Sequence, residues 1–320
     1  MNASEFYRYF KSIGLLKPAL NYLFKDELTQ CISKSDYSDL FDRIVDALKL
    51  NVFRDKQNRI TFKPLNLKVE INDSPFTKKK SFSSTQIYCN ALTEHIVKLC
   101  PNFEPLILEQ ALQSISEISL AELYRYCWDA GVPLIPIYDL HRSFAKPYSL
   151  LHLKDGRPVI YIGANPMYQD KLKFSIVYCL VIIAENHAKN GMYLNEGNPL
   201  FDFHFNIDET LINSYEVKTN RLLSNDTNLD FSTFYSYNSA IALACTARQE
   251  AKKQKVTASY LLARFANETF SWDTVEQAIA YLPEALIEEE LLPVHLDKII
   301  EAAQKVDQEI ALLKPLVKNN

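Results

Sequence analysis

Apolar positions in the first 49 residues recur at helical spacing. Phe6, Tyr9 and Phe10 share one face, and Leu40, Phe41, Ile44, Val45 and Leu48 form a second stripe. This spacing predicts a small helical unit, after which the period changes. Val52 and Phe53, then Ile60 to Phe62, flank a polar Asp55-Lys56-Gln57-Asn58 turn. Leu67, Val69 and Ile71 alternate with Lys68 and Glu70, as in a strand with one buried face. Helices followed by a hairpin would suit a winged-helix module. Residues 73–84 contain Pro75, Lys78, Lys79, Lys80 and four serines and read as a linker or exposed loop.

Ser119-Leu120-Ala121-Glu122 has the form of a capping box, which predicts a helix starting there and stopping at Gly131. Residues 132–137 read as a strand whose Pro133 and Pro136 confine it to a sheet edge or an irregular path. Segments 148–153 and 158–162 flank Asp155-Gly156, a pair suited to the positive-φ positions of a tight hairpin. Residues 171–187 are apolar almost all round from Phe174 to Ala184, which predicts a central helix buried on every side. Further helices are expected over 208–223, 239–252, 257–267, 272–281 and 296–316. The expected fold is α+β, mostly helical, with a small sheet and a buried central helix. Its expected parts are a helical and hairpin region over 1–72, a linker with a connecting helix over 73–116, a core over 117–282 and a helical tail over 283–320.

Composition narrows the function by exclusion. The chain has 320 residues, 48% of them hydrophobic and 23% charged, so it can bury a sizeable core and is not a disordered or fibrous protein. Its 6 glycines never form a glycine-rich phosphate loop. Residues 1–110 carry 16 Lys/Arg against 13 Asp/Glu, and the remainder 19 against 26, which is not the footprint of a dedicated nucleic-acid binder. Its 6 cysteines lie far apart without a C-x-x-C pair, as expected of reduced thiols in the cytoplasm. The N-terminus lacks a basic-then-apolar signal pattern, and the longest apolar run is too short to span a bilayer. A cytoplasmic protein with no membrane contact is therefore expected.

In order, the chain reads Leu120-Ala-Glu-Leu, Asp129-Ala-Gly-Val-Pro-Leu-Ile-Pro-Ile, Asp155-Gly-Arg-Pro-Val-Ile-Tyr-Ile and Phe174-Ser-Ile-Val. This series resembles the ImmA/IrrE family of zincin-type metallopeptidases over residues 117–270. The resemblance implies a zincin-like sheet above a metal-binding helix carrying His-Glu-x-x-His. In that motif two imidazoles one turn apart hold Zn²⁺ and the glutamate activates its water. Here the ligand positions hold Tyr178 and Ile182, and the general-base position holds Cys179. The family's third ligand lies in a Glu-x-x-Ala-Asn-x-Phe segment, which the resemblance places at Glu209, with Asn213 and Tyr215 following at the same spacing. One carboxylate does not make a catalytic zinc site, so no metal or other cofactor is expected.

The resemblance therefore implies a metallopeptidase-like regulator or effector that binds a protein partner, in a toxin–antitoxin, prophage or phage-defence setting, without catalytic residues. An alternative is an active hydrolase with a displaced metal site at Asp202, His204 and His187 beside Glu209. Another is a DNA-binding regulator that contacts phosphate through Lys78, Lys79, Lys80, Lys252, Lys253, Lys255 and Arg264, for which solvated surface charge is the plainer role. In zincins an edge strand above the metal helix pairs with an extended substrate. Val159, Ile160 and Tyr161 are expected to form such a strand, with one face on the core.

Overall fold

The computed structural model describes residues 1–54, 60–62, 69–70, 80–116, 118–147, 149–163, 168–186, 189–195, 212–224, 228–269, 272–286, 291–305 and 311–317. The chain begins with four helices: α1 (Ala3–Ser12), α2 (Lys17–Leu23), α3 (Lys25–Gln30) and α4 (Lys34–Ala47). Capping boxes at Asn2 and Ser33 start α1 and α4 by occupying amides that have no partner inside the helix. The expected hairpin follows as β1 (Val52–Arg54) and β2 (Ile60–Phe62), with Val52 opposite Phe62. Of the expected third strand, β3 (Val69–Glu70) is described.

The expected loop over 73–84 is corrected at its end. Helix α5 spans Lys80–Ile96, and Ser84 is fully buried, accepting from the Leu16 amide and donating to the Gly14 carbonyl. Ser84, read as a loop former, thus ties α5 to the turn between α1 and α2 through two backbone partners. Helices α6 (Pro105–Gln113) and α7 (Leu120–Asp129) follow. The Ser119 capping box forms as expected, and Gly131 ends α7 at φ +71°, where a Cβ would lie 2.4 Å from the Asn102 carbonyl oxygen.

The principal sheet adds β4 (Leu134–Pro136), β5 (Ser149–Lys154), β6 (Arg157–Ile162) and β7 (Gly191–Asn195), in the order β3-β7-β5-β6-β4. The β5–β6 hairpin turns at Asp155 (φ 51°) and Gly156 (φ 74°), both left-handed as its two-residue turn requires. β4 lies at the sheet edge, the first of the two placements that Pro133 and Pro136 allow, and runs parallel to β6. β6 does not lie at an edge. It pairs antiparallel with β5 and parallel with β4, so the expected partner-binding strand at Val159, Ile160 and Tyr161 is an interior strand.

Both faces of β6 are covered. Leu151, Leu153, Ile160 and Ile162 point to a core built around α8 (Gln169–Asn186), joined by residues of α6, α7 and three later helices. These are α10 (Ala240–Gln254), α11 (Ala258–Thr269) and α12 (Trp272–Ile279), and α9 (Ile212–Ser224) packs along α8. Leu150, Val159, Tyr161 and Met192 point the other way, into a core shared with α1, α2, α4, α5 and the C-terminal α13 (Val294–Lys305). The continuous apolar run of β6 from Pro158 to Ile162 is the signature of a strand buried on both faces.

The central helix forms as expected, but its full burial ends at Ile183, because Ala184 and Glu185 are exposed. The expected single tail helix over 296–316 is also corrected. Its described residues form α13 up to Lys305 and a 3₁₀ helix at Ala311–Leu316, whose Pro315 supplies no amide. The fold is α+β, mostly helical around a small mixed sheet. Among the described residues no helix is long and apolar enough to cross a membrane.

Candidate functional site

The resemblance directs attention to the face of α8 between the sheet and α9. The sequence makes α8 apolar nearly all round, so its packing leaves little room for charged groups. Tyr178 is 8% exposed, lies 6.3 Å from the Phe174 ring and meets Tyr215 of α9 edge-on at 6.4 Å. Burial raises its phenol pKa, with Cys179, Glu216 and Tyr215 adding to the effect. Cys179 sits one position on, against β5, and its thiol lies 3.4 Å from the Ser149 hydroxyl. Burial pushes that thiol up to about 12, which leaves it a small core residue and a poor nucleophile. Ile182, a turn beyond Tyr178, is 3% exposed.

Next to Tyr215 on α9 stands a carboxylate that the motif did not single out. Glu216 is partly buried, and its charge acts on Tyr178. Burial raises its carboxyl pKa while Arg264 of α11 pulls it down. A sequence signal for it exists: Glu216-Val-Lys-Thr-Asn220-Arg-Leu222 repeats the Glu-x-x-x-Asn spacing of Glu209 and Asn213 seven residues later. Only helix packing selects between the two copies. Asn220, one turn on, receives the Tyr260 hydroxyl of α11 at 3.2 Å, on both its carbonyl and its side-chain oxygen.

Glu209 and the displaced set Asp202, His204 and His187 lie outside the described residues. Among the described residues no group of three or more His, Cys, Asp or Glu could hold a metal ion. Lys78 and Lys79 also lie outside the described residues, and Lys80 is the first residue of α5. Lys252, Lys253 and Lys255 are exposed around the end of α10, with Lys253 paired to Glu250 at 2.7 Å and Lys255 left-handed at φ 56°. Arg264 does not join them on a basic face, because its guanidinium acts on Glu216 and Tyr260 and its Nε is buried.

A groove of about 340 Å³ runs between α6, α8 and α9. Leu112, Val181, Ala184 and Leu222 line it, with the Glu185–Lys218 ion pair at its mouth. It opens where the burial of α8 ends.

The other buried titratable groups are structural. His152 is 1% exposed, contacts the Thr93 hydroxyl at 2.9 Å and has its pKa driven down to about 3 by burial. Thr93 in turn lies 2.7 Å from the Tyr161 hydroxyl, which donates to the Cys89 carbonyl at 2.8 Å. This network ties α5 to the sheet and contains no exposed reactive atom. Comparison with known proteins finds no matching family model, curated protein or solved structure.

Proposed function

We propose that this chain is an ImmA/IrrE-like scaffold that acts by binding a protein partner, with the hydrolytic chemistry of the peptidases replaced by packing. One observation carries this reading: the helix positions that correspond to two metal ligands and a general base hold Tyr178, Cys179 and Ile182, all buried against the sheet and α9. A phenol with a raised pKa, a protonated thiol and an alkyl chain supply neither a metal lone pair nor a water-activating carboxylate at neutral pH. The proposed setting is a toxin–antitoxin, prophage or phage-defence system, with a regulatory protein as partner and nucleic acid reached directly or through it.

Metal analysis of the dialysed full-length protein, run beside a protease assay with and without chelator, tests the reading. The expected result is no stoichiometric zinc and no chelator-sensitive cleavage. About one tightly held zinc per chain, released by Glu209→Ala or Glu216→Ala together with loss of cleavage, would overturn it and return the protein to the active metallopeptidases.

A further inference from the structure

The groove between α6, α8 and α9 combines an apolar floor with a cation that nothing engages. Its floor takes Leu112 from α6, Leu222 from α9, and Val181 and Ala184 from α8. Val181 is buried and Ala184 exposed, so within one turn of α8 the floor runs from the core out to the surface. Three charged side chains border it: Glu185, Lys218 and Arg221. Glu185 and Lys218 neutralise each other as an ion pair. That leaves the positive charge of Arg221, which is exposed. Among the described residues its guanidinium makes no hydrogen bond or ion pair. Arg221 and Leu222 are consecutive on α9, so the free cation adjoins the apolar floor.

A guanidinium donates only and is matched by a carboxylate, while an apolar floor is matched by an apolar side chain. The ligand that fits has both, close together. Its size is bounded too. The groove's volume of about 340 Å³ lies at the lower end of the roughly 300–1,000 Å³ of small-ligand sites, which suits a residue or two of chain and not a whole helix. We propose that this groove receives the C-terminal residue of the protein partner, its apolar side chain on the floor and its terminal carboxylate on the Arg221 guanidinium. A chain terminus carries carboxylate and side chain on one Cα, the close spacing that neighbouring Arg221 and Leu222 require. An internal Asp or Glu holds its carboxylate on a side chain of its own, so two side chains must share the same short space. The proposal rests on the partner-binding role above and supplies the chemistry of the segment bound.

The test titrates the full-length protein with N-acetyl-leucine, a minimal mimic of a C-terminal apolar residue, and reads binding by saturation-transfer NMR. Three further probes divide its chemistry. N-acetyl-leucine methylamide lacks the carboxylate, N-acetylglycine lacks the side chain, and N-acetyl-glutamyl-leucine methylamide carries its carboxylate on an internal residue. Saturable binding of N-acetyl-leucine is expected, with the methylamide and N-acetylglycine each weaker by about tenfold and the glutamyl probe weaker than N-acetyl-leucine. Arg221→Met should weaken N-acetyl-leucine by about tenfold and leave the methylamide unchanged. Ala184→Phe should block N-acetyl-leucine by filling the floor. Both residues are exposed, so neither variant disturbs the core. Absence of N-acetyl-leucine binding, or binding that either variant leaves unchanged, overturns the site. A glutamyl probe that binds at least as tightly as N-acetyl-leucine overturns the terminal carboxylate in favour of an internal one. Zinc in the purified chain would instead overturn the binding-only reading, so the two failures are distinguishable.

Discussion

The backbone N–H of Leu134 donates to Nδ1 of His295 across 2.9 Å, joining an edge strand to a helix 161 residues away. Because Nδ1 accepts, the ring proton lies on Nε2, which donates to the Tyr124 carbonyl at 2.8 Å. The imidazole thus occupies an outward amide of β4, and Pro136 two residues on has no amide to offer. The β4 edge is closed against strand addition by one histidine and one proline.

His295 is fully buried, and burial lowers its pKa to about 3, as it does that of His152. Between that value and the unfolded value near 6.5 the unfolded chain binds the proton and the folded chain does not. Stability therefore falls as pH drops through this window, by about 2 kcal/mol per histidine at pH 5. Denaturant midpoints at pH 7 and pH 5 should show a smaller acid loss in His295→Asn than in wild type. An equal loss would show that His295 is not the group being titrated. His295→Ala leaves the Leu134 amide without its acceptor and opens a cavity, and should cost about 2–4 kcal/mol.

The interior position of β6 makes Tyr161 sensitive to backbone change. Tyr161→Pro removes a ladder amide and should abolish cooperative folding, as read by circular dichroism. Tyr161→Phe keeps the ring and loses the hydrogen bonds to Cys89 and Thr93, at a cost of about 1–2 kcal/mol. A folded, stable proline variant would contradict the strand order.

At the first turn of α8, the buried Asp170 carboxylate accepts from Thr257 at 2.9 Å and from the Ser259 hydroxyl, tying α8 to the start of α11. Thr257 also receives the Tyr260 amide at 3.2 Å as the α11 cap. Thr257→Val should cost about 1–2 kcal/mol through the cap and the lost carboxylate partner together. In an Asp170→Asn background the same substitution should cost less, because it no longer strips a buried charge. Full additivity in urea melts would show that the two residues are not coupled.

Tyr178→His with Ile182→His places two imidazoles one turn apart on α8, beside Glu216 on α9. If the α8–α9 face corresponds to that of a metallopeptidase, the pair should acquire Zn²⁺ affinity that Glu216→Ala removes and Glu209→Ala leaves. Isothermal titration with ZnCl₂ reads this directly. Loss of zinc binding in the Glu209→Ala version alone would assign the third ligand to the earlier copy of the spacing.

Local rules placed much of the fold. The Ser119 capping box, the Asp155-Gly156 hairpin, the proline-marked edge of β4 and the buried α8 were legible because each depends on a few neighbouring residues and one backbone preference. The same reading put Ser84 in a loop and β6 at an edge, because the burial of a serine and the neighbours of a strand depend on distant segments. At the candidate site the sequence by itself determined which residue types occupy α8: a tyrosine, a cysteine and an isoleucine at the positions that the resemblance would assign to two ligands and a base. The tertiary structure alone decided that Tyr215 meets Tyr178 and that Asn220 receives the Tyr260 hydroxyl, with Glu216 half-buried between these contacts along α9. Side chains a heptad apart have nearly the same local sequence environment and differ in which packed helix they meet.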